Sequence, residues 1–316
     1  MQNGISIIIP TYNRENLVAE AIQSTLDQEF DGKIEIIIAD DGSTDSTLSV
    51  VESFGNKVIL LKKPVNCKNQ GVASTRNRAL KIASQPFISF LDSDDFYFKD
   101  HIKKMVSVLK DNPDLGFVFC RTLEVKEQNG KRLFRAWTHE HIFKKDILNP
   151  SVSRAKIVHT NSFLFRRDVF EKVGYFNESY TNFEDVDLWM RISEKFKGAF
   201  SNHYGAAYRT QHAASQLSNN SLDAIFYCRT KIQEEALSRY YELKLNDSYR
   251  VFELKHLLLH SQYQNNKWVY GPKYIKLIIS NPFEFIHRCK ALFYVLFENR
   301  GKRKWGDIQN FLTSCY

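Results

Sequence analysis

Short apolar runs alternate with amphipathic segments along the first third of the chain. The runs that are apolar enough to form fully buried strands are residues 5–10, 34–39, 57–63 and 86–91. Segments with apolar residues at helical spacing follow them, including residues 16–28, 71–83 and 100–112. Four successive strand–helix units predict a mostly parallel sheet with helices on both faces.

The pattern changes after residue 115. The strands that it then predicts, as part of a mixed sheet, are residues 115–125, residues 131–134 and the start of the segment 161–177. Residues 182–196 predict a helix with an acidic start, and beyond about residue 221 only helical patterns occur. We therefore expect one α/β domain over residues 1–218 and a helical region over residues 219–316.

Composition places the chain among soluble globular proteins, with 43% hydrophobic and 25% charged residues. Its cysteines are Cys67, Cys120, Cys228, Cys289 and Cys315. They show no paired spacing typical of a zinc or redox motif, and we expect reduced thiols. There is no basic leader and no uncharged run of about 18–20 residues, so we expect a cytoplasmic location.

The net charge of +8 is concentrated in the C-terminal region. From residue 250 onward there are eleven bases and four acids, and residues 288–305 mix bases with aromatic residues. Three interpretations remain open. The tail is a peripheral helix on the anionic inner face of the plasma membrane, a helical cap on the preceding domain, or an oligomer interface. No recognisable nucleic-acid-binding module accompanies the bases, so we expect no nucleic-acid partner.

Acidic residues follow the second and fourth predicted strands. Ligands of parallel sheets bind at the carboxyl ends of the strands, so these acids should share one edge with the residues after the first strand. Asp92, Asp94 and Asp95 end a buried run, and crowded carboxylates require a cation or hydrogen-bond donors. One explanation is Mg²⁺ or Mn²⁺ on a substrate diphosphate. The other is a solvated turn that caps a helix beginning near Asp100.

Two more acidic segments each have a structural and a chemical interpretation. In "ADDGSTDST" the polar residues suit a helix cap, while Asp41 is able to accept the imide N–H of a base. In "NFEDVDLWMRI" the acids Glu184, Asp185 and Asp187 begin a helix, where the helix dipole stabilises anions. Such a carboxylate is also suited to take a proton from an attacking hydroxyl.

Together these segments resemble the family 2 glycosyltransferases of the GT-A fold. The matching motifs are "SIIIPTYNR", "IIIADDGSTDST", "NQGVASTRNRAL", "FISFLDSDDF" and "FEDVDLWMRI". They occur in the family's order, and the resemblance covers about residues 4–215. It implies a nucleotide-binding half over residues 1–115 and an acceptor-binding half over residues 116–218.

The resemblance also implies roles for individual residues. The donor nucleotide would contact Pro10, Tyr12, Asp41, Arg76, Asp92 and Ser93. Asp94 and His212 would bind Mn²⁺ or Mg²⁺, and Asp185 would be the general base. Asp95 and Glu184 would contact the donor sugar and the acceptor.

The activity that this implies is metal-dependent, inverting transfer of one sugar from a nucleotide-sugar, with UDP expected as the nucleotide. The acceptor would be a glycan or lipid-linked glycan in cell-surface polysaccharide synthesis. No Q-x-x-R-W motif occurs, which argues against a processive synthase. The rival hypotheses are a nucleotidyltransferase that makes nucleotide-sugars and a non-catalytic protein that binds carbohydrate or nucleic acid. A nucleotidyltransferase usually has a Gly-rich basic loop after the first strand, and "PTYNREN" is not one.

The membrane interpretation of the tail predicts electrostatic binding. Changing Arg300, Lys302, Arg303 and Lys304 to Glu should release the protein from anionic vesicles, since each base near such a surface contributes about 1 kcal/mol. Salt should act likewise, because the Debye length falls to about 3 Å at 1 M. Flotation with anionic and neutral liposomes measures this. Equal, salt-insensitive binding to both, or no binding to either, would favour the cap or oligomer interpretation.

Overall fold

The computed structural model describes residues 3–65, 71–136 and 159–210, and ten residues between 227 and 239. His212 and the basic tail lie outside these described residues. The chain divides into two compact units, Met1–Asn220 and Ser221–Tyr316. In the second unit, the residues described between 227 and 239 are helical, and Cys228, Ile232 and Ala236 are buried at helical spacing. Within the described part of the chain, no helix is both long and apolar enough to span a membrane.

The first unit contains nine strands and six α-helices among its described residues. The strands are β1 (Gly4–Thr11), β2 (Lys33–Asp40), β3 (Ile59–Leu61), β4 (Phe87–Phe90), β5 (Phe96–Tyr97), β6 (Leu115–Gln128), β7 (Lys131–Ala136), β8 (Phe163–Arg166) and β9 (Lys197–Arg209). The helices are α1 (Val18–Leu26), α2 (Thr47–Glu52), α3 (Gly71–Ile82), α4 (His101–Asp111), α5 (Asp168–Val173) and α6 (Glu184–Lys195).

These strands form one mixed sheet in the order β3-β2-β1-β4-β8-β6-β9-β5, with β7 paired to β6. Strands β1 to β4 are parallel, as the sequence predicts, because a helix connects each to the next. Strand β8 is antiparallel to both β4 and β6, while β6 and β9 are parallel. The residues before β8 therefore lie at the same edge as the residues after β4.

The centre of the sheet is buried on both faces, which explains why the sequence of β1 is a continuous apolar run. Ile7 and Ile9 pack into one cluster, which includes buried residues of α1 and α4. Ile8 points to the other face and joins a cluster with residues of α3, α5 and α6. Both faces exclude water, so the alternation of polar and apolar residues typical of a half-exposed strand is absent.

An aromatic cluster fills the second face below the carboxyl end of β4. The Phe90 ring makes edge contacts with Phe165, Phe170 and Phe176 at centroid distances of 6.3, 6.0 and 5.3 Å. Trp189 of α6 stacks on Phe165 at 4.7 Å. These rings join β4 to β8 and to the two helices that follow it, and so fix the position of α6.

Some local features differ from the prediction. Strand β3 is shorter than expected, and β5 has two residues, too few for a periodic pattern. Asp100 occupies the N-cap position of α4, but its carboxylate pairs with Lys104 and does not cap the helix. The turn between β6 and β7 lies between two predicted strands and has Asn129 and Gly130 at φ values of 52° and 70°, which Asn and Gly adopt at low cost.

Replacing Phe90 by Ala should destabilise the first unit by about 3–5 kcal/mol, because it leaves a cavity among four aromatic rings. Phe134→Ala is the matched control, since Phe134 lies on β7 with half of its surface exposed. It should cost no more than about 0.5 kcal/mol. Urea unfolding followed by tryptophan fluorescence measures both. Similar losses in the two variants would contradict the assignment of this cluster as the core.

Candidate active site

The loops after β1 and β2 are joined by reciprocal hydrogen bonds. The backbone N–H of Asn13 donates to Ser43 Oγ at 3.0 Å, and the N–H of Thr44 donates to Asn13 Oδ1 at 2.8 Å. The N–H of Arg14 donates to Thr47 Oγ1 at 2.7 Å. This network holds the two loops side by side and leaves Tyr12 41% exposed beside them.

The acids of the loop after β2 differ in their hydrogen bonding. Asp40 accepts hydrogen bonds from the N–H groups of Gly42 and Ser43, in a turn where Gly42 has a φ of +89°. Asp45 accepts the N–H of Thr47 at the start of α2. Asp40 and Asp45 therefore have the structural role, because they accept backbone N–H groups of the turn and of the start of α2. Asp41 is buried, and this burial raises its pKa against the opposing charge of nearby Lys63.

The side-chain amide of Asn161 makes two hydrogen bonds to the turn after β4. Asn161 Oδ1 accepts the backbone N–H of Asp92 at 3.0 Å, and Asn161 Nδ2 donates to Asp95. Asp95 is buried and also accepts the N–H of Arg209 at 2.7 Å. Burial, followed by the charges of Asp94 and Asp92, raises the pKa of Asp95 well above its usual range. Asp95 therefore lies inside the turn, and its contact with a donor sugar stays a prediction.

Asp94 is more accessible and faces a cation that the sequence analysis missed. Its carboxylate lies 3.5 Å from the guanidinium of Arg14. Arg14 follows β1 in the motif "PTYNR", and its position after a strand on the same edge is the signal that would have identified it. The Arg209 guanidinium donates to the backbone carbonyl of Asp94.

Arg76 is buried between two carboxylates. Its Nη2 donates to Asp92 and its Nη1 to Glu184, both at 2.7 Å. Burial lowers the pKa of Arg76, but the charges of Asp92 and Glu184 outweigh it, so the net shift is upward. Arg76 is thus a bridge between the turn after β4 and the start of α6. Its contact with the nucleotide stays a prediction.

The three acids at the start of α6 have different environments. Glu184 is buried, and burial together with neighbouring Asp185 raises its pKa to about 7, against the charge of Arg76. Asp187 is buried in an ion pair with Arg191 at 2.8 Å. Asp185 is more accessible than either, and accepts hydrogen bonds from Thr160 Oγ1 and the N–H of Val186, both at 2.7 Å. Asp185 is therefore the acid of the three best placed to meet a substrate.

A group of possible metal ligands lies at this edge. Ligand atoms of Asp92, Asp95 and His159 are within 4.8 Å of one another. His159 Nδ1 is buried and has no hydrogen-bond partner among the described residues. Burial lowers the pKa of His159, which favours the neutral imidazole that binds metals. Two carboxylates and an imidazole with a free buried nitrogen fit a divalent cation.

None of the three residues of this group is one of the predicted metal ligands, Asp94 and His212. Asp94 is on the same turn but is not one of its three members, and His212 lies outside the described residues. His159, Thr160 and Asn161 were missed by the sequence analysis. They immediately precede β8, and the antiparallel pairing of β8 with β4 brings them to the turn after β4. We call this turn, which contains Asp92, Asp94 and Asp95, the acidic turn.

The predicted side chains that the structure describes lie at one edge of the sheet. They are Pro10, Tyr12, Asp41, Arg76, Asp92, Ser93, Asp94, Asp95, Glu184 and Asp185. Pro10 and Ser93 are buried at this edge, and their contacts with a nucleotide stay predictions. The arrangement puts an ionisable acid, a candidate cation site and an exposed aromatic ring around one surface.

Known proteins are similar to this chain in sequence and in fold. Residues 6–174 match glycosyl transferase family 2. An uncharacterized glycosyltransferase of Rickettsia prowazekii is 31% identical over 225 residues, which are 70% of this chain and 68% of that protein. The poly(ribitol-phosphate) beta-N-acetylglucosaminyltransferase TarS of Staphylococcus aureus strain MW2 is 29% identical over 253 residues, 79% of this chain and 39% of TarS. Across five rickettsial relatives the matched segment spans 27% to 68% of their lengths.

A solved structure has the same fold. The crystal structure of S. aureus TarS 1–349 in complex with UDP-GlcNAc superposes with a TM-score of 0.64 and 20% sequence identity. The superposition covers 88% of this chain and 80% of that chain. The predicted GT-A fold, a mostly parallel sheet flanked by helices, is confirmed for the first unit.

The raised pKa of Glu184 predicts a pH dependence of stability. The folded state binds the Glu184 proton more tightly than the unfolded chain, so this residue's contribution to stability falls as pH rises from about 4.5 through about 7. Each unit of the shift corresponds to about 1.4 kcal/mol. Glu184→Gln should lack this loss. In thermal unfolding, its melting temperature relative to that of the wild type should therefore increase across that pH range. Glu171→Gln, at an exposed position of α5, should follow the wild-type profile. Parallel profiles for all three proteins would mean that Glu184 does not titrate there.

Proposed function

The chain belongs to glycosyl transferase family 2, and from that premise we propose that it transfers one sugar from a UDP-linked donor to a glycan or lipid-linked glycan of the cell surface. The observation that carries the proposal is the bridge Asp92–Arg76–Glu184. It ties the acidic turn, which suits a nucleotide-sugar, to the helix start that presents Asp185. This bridge supports the proposal that donor binding and proton transfer take place at one surface.

On the donor side, the exposed Tyr12 ring would stack on the base, and Asp41 would accept its imide N–H. Asp92 would accept a ribose hydroxyl while it remains paired with Arg76. UDP is favoured because a relative is named as an N-acetylglucosaminyltransferase, and a chain of the same fold was crystallised with UDP-GlcNAc. UDP-GlcNAc is therefore the first donor to test.

A divalent cation fits the edge of the sheet that carries Asp92, Asp94 and Asp95, which we call the acidic edge. Asp92 and His159 would hold it together with Asp94 or Asp95, and when bound it would neutralise the diphosphate of the leaving group. Arg14 lies 3.5 Å from Asp94 and adds positive charge where the diphosphate would lie. His212 stays a proposed further ligand from the family resemblance.

On the acceptor side, Asp185 would be the general base. Thr160 Oγ1 donates to its Oδ2 and the N–H of Val186 to its Oδ1, which fixes the carboxylate plane and leaves lone pairs for a substrate hydroxyl. The acceptor oxygen would form a bond to the anomeric carbon, and its proton would pass to Asp185. The bond from that carbon to the diphosphate oxygen would break, and UDP would leave from the opposite side with inversion.

The acceptor and the cellular location belong to the same proposal. A lipid-linked acceptor would require access to the inner face of the plasma membrane, and residues 288–305 are the basic and aromatic segment suited to it. A cytoplasmic location with peripheral membrane binding is consistent with this. A homo-oligomer formed through the same tail is the alternative use of the segment.

A donor screen tests the proposal most directly. The purified protein is incubated with UDP-, GDP- and TDP-linked sugars without acceptor, in Mn²⁺, Mg²⁺ or excess EDTA, and the release of nucleoside diphosphate is measured. We expect hydrolysis of one UDP-sugar, with loss of activity in EDTA. Release from no donor, together with no binding of UDP by calorimetry, would overturn the assignment.

Asp185→Asn is nearly isosteric but cannot accept the proton. Turnover should fall by about 10²- to 10⁴-fold, the usual contribution of general base catalysis, while donor affinity stays nearly unchanged. Glu171→Gln, the same chemical change at an exposed position of α5, should keep full turnover. If Asp185→Asn lost donor binding in proportion to its rate, Asp185 would belong to the donor site instead.

A further inference from the structure

Two histidines and a cysteine form a cluster that shares no residue with the candidate active site. One ligand atom each from His101, Cys120 and His203 lies within 4.8 Å of the other two. His101 and Cys120 are fully buried, and His203 is partly buried. They come from α4, β6 and β9, separated by 19 and 83 positions, so their spacing in the sequence gives no motif.

The bulge in β9 brings His203 to this cluster. Cys120 of β6 pairs with Ser201, but the next residue, Arg121, pairs with Tyr204. Asn202 and His203 are therefore additional residues on β9. A bulge of this kind turns a side chain away from its regular direction and is common at functional sites.

The His203 imidazole has a nitrogen that the protein does not satisfy. His203 Nε2 is buried and lacks a hydrogen-bond partner within the described part of the chain. An unsatisfied buried polar atom is costly, and in a native structure it calls for a missing partner such as a water or an ion. The other nitrogen of His203 lies 2.9 Å from Ser201 Oγ, which orients the ring.

Gly205 allows the close approach that the cluster needs. A Cβ at this position would lie 2.1 Å from His101 Nδ1 and 2.8 Å from Cys120 Sγ. Any other residue would displace both side chains. His101 Nδ1 and Cys120 Sγ are 3.8 Å apart, close to the roughly 3.5 Å between ligands of a tetrahedral ion with bonds of about 2.0–2.3 Å.

We propose that His101, Cys120 and His203 bind one divalent cation of the zinc class. Thiolate sulfur and imidazole nitrogen are the ligands that Zn²⁺ prefers, whereas Mg²⁺ and Mn²⁺ prefer the carboxylates of the acidic edge. The thiol would lose its proton to solvent as the sulfur–metal bond forms. Three protein ligands leave a fourth position for water. The ion would hold the start of α4 against the middle of β6 and the bulge of β9.

Cobalt provides a direct probe of this site. The full-length protein, stripped of metal and kept reduced, is titrated with Co²⁺ alone. We expect a thiolate-to-cobalt charge-transfer band that saturates at one equivalent and disappears when Zn²⁺ is added. Zn²⁺ should also raise the melting temperature. Asp92→Asn should leave the band unchanged, because carboxylate ligands give no such band.

Two variants and a matched control assign the band. Cys120→Ser should abolish it, whereas Cys228→Ser, the same change at a buried cysteine of the second unit, should retain it. If Cys120→Ser fails to fold, His203→Gln is the second variant, since His203 is only partly buried; it should weaken Co²⁺ binding at least about tenfold. No band in the wild type, an undiminished band in Cys120→Ser, or an unchanged Co²⁺ affinity in His203→Gln would overturn the proposal.

Discussion

One buried guanidinium joins the two sides of the candidate active site. Arg76 on α3 meets Asp92 after β4 and Glu184 at the start of α6, and each of these three charges would be costly to bury without the others. Because Asp185 follows Glu184 directly, its position depends on the same bridge. The helix that carries the proposed base is thus fixed relative to the acidic turn by electrostatics, while the aromatic cluster below fixes it by packing.

The antiparallel strand β8 gives this arrangement its second support. Its pairing with β4 places Thr160 and Asn161 next to the acidic turn. Asn161 holds the turn itself, and Thr160 holds Asp185. One short segment therefore orients groups on both the proposed donor side and the proposed acceptor side, so a shift of β8 would disturb both together.

The sequence predicted what depends on local periodicity and missed what depends on pairing between distant segments. The buried runs β1, β2 and β4 and the edge they share follow from strand patterns and the rule for parallel sheets. The hydrogen bonds between Asn161 and the acidic turn could not be predicted, because nothing in the local sequence indicates that β8 is antiparallel to β4. The same holds for the histidine–cysteine cluster, where a bulge and a glycine on β9 decide which side chains meet. The environment of Arg76 was missed because an arginine in a helix pattern is usually exposed.

The hydrogen bonds between the loops after β1 and β2 have an entropic consequence. Asn13, Ser43, Thr44 and Thr47 hold these loops in one arrangement through hydrogen bonds within the protein. If a nucleotide binds beside Tyr12 as proposed, it would not have to order them, and the conformational entropy of these residues would be lost during folding instead of during binding. A substitution that frees either loop would then weaken the proposed binding without removing a single contact to the ligand.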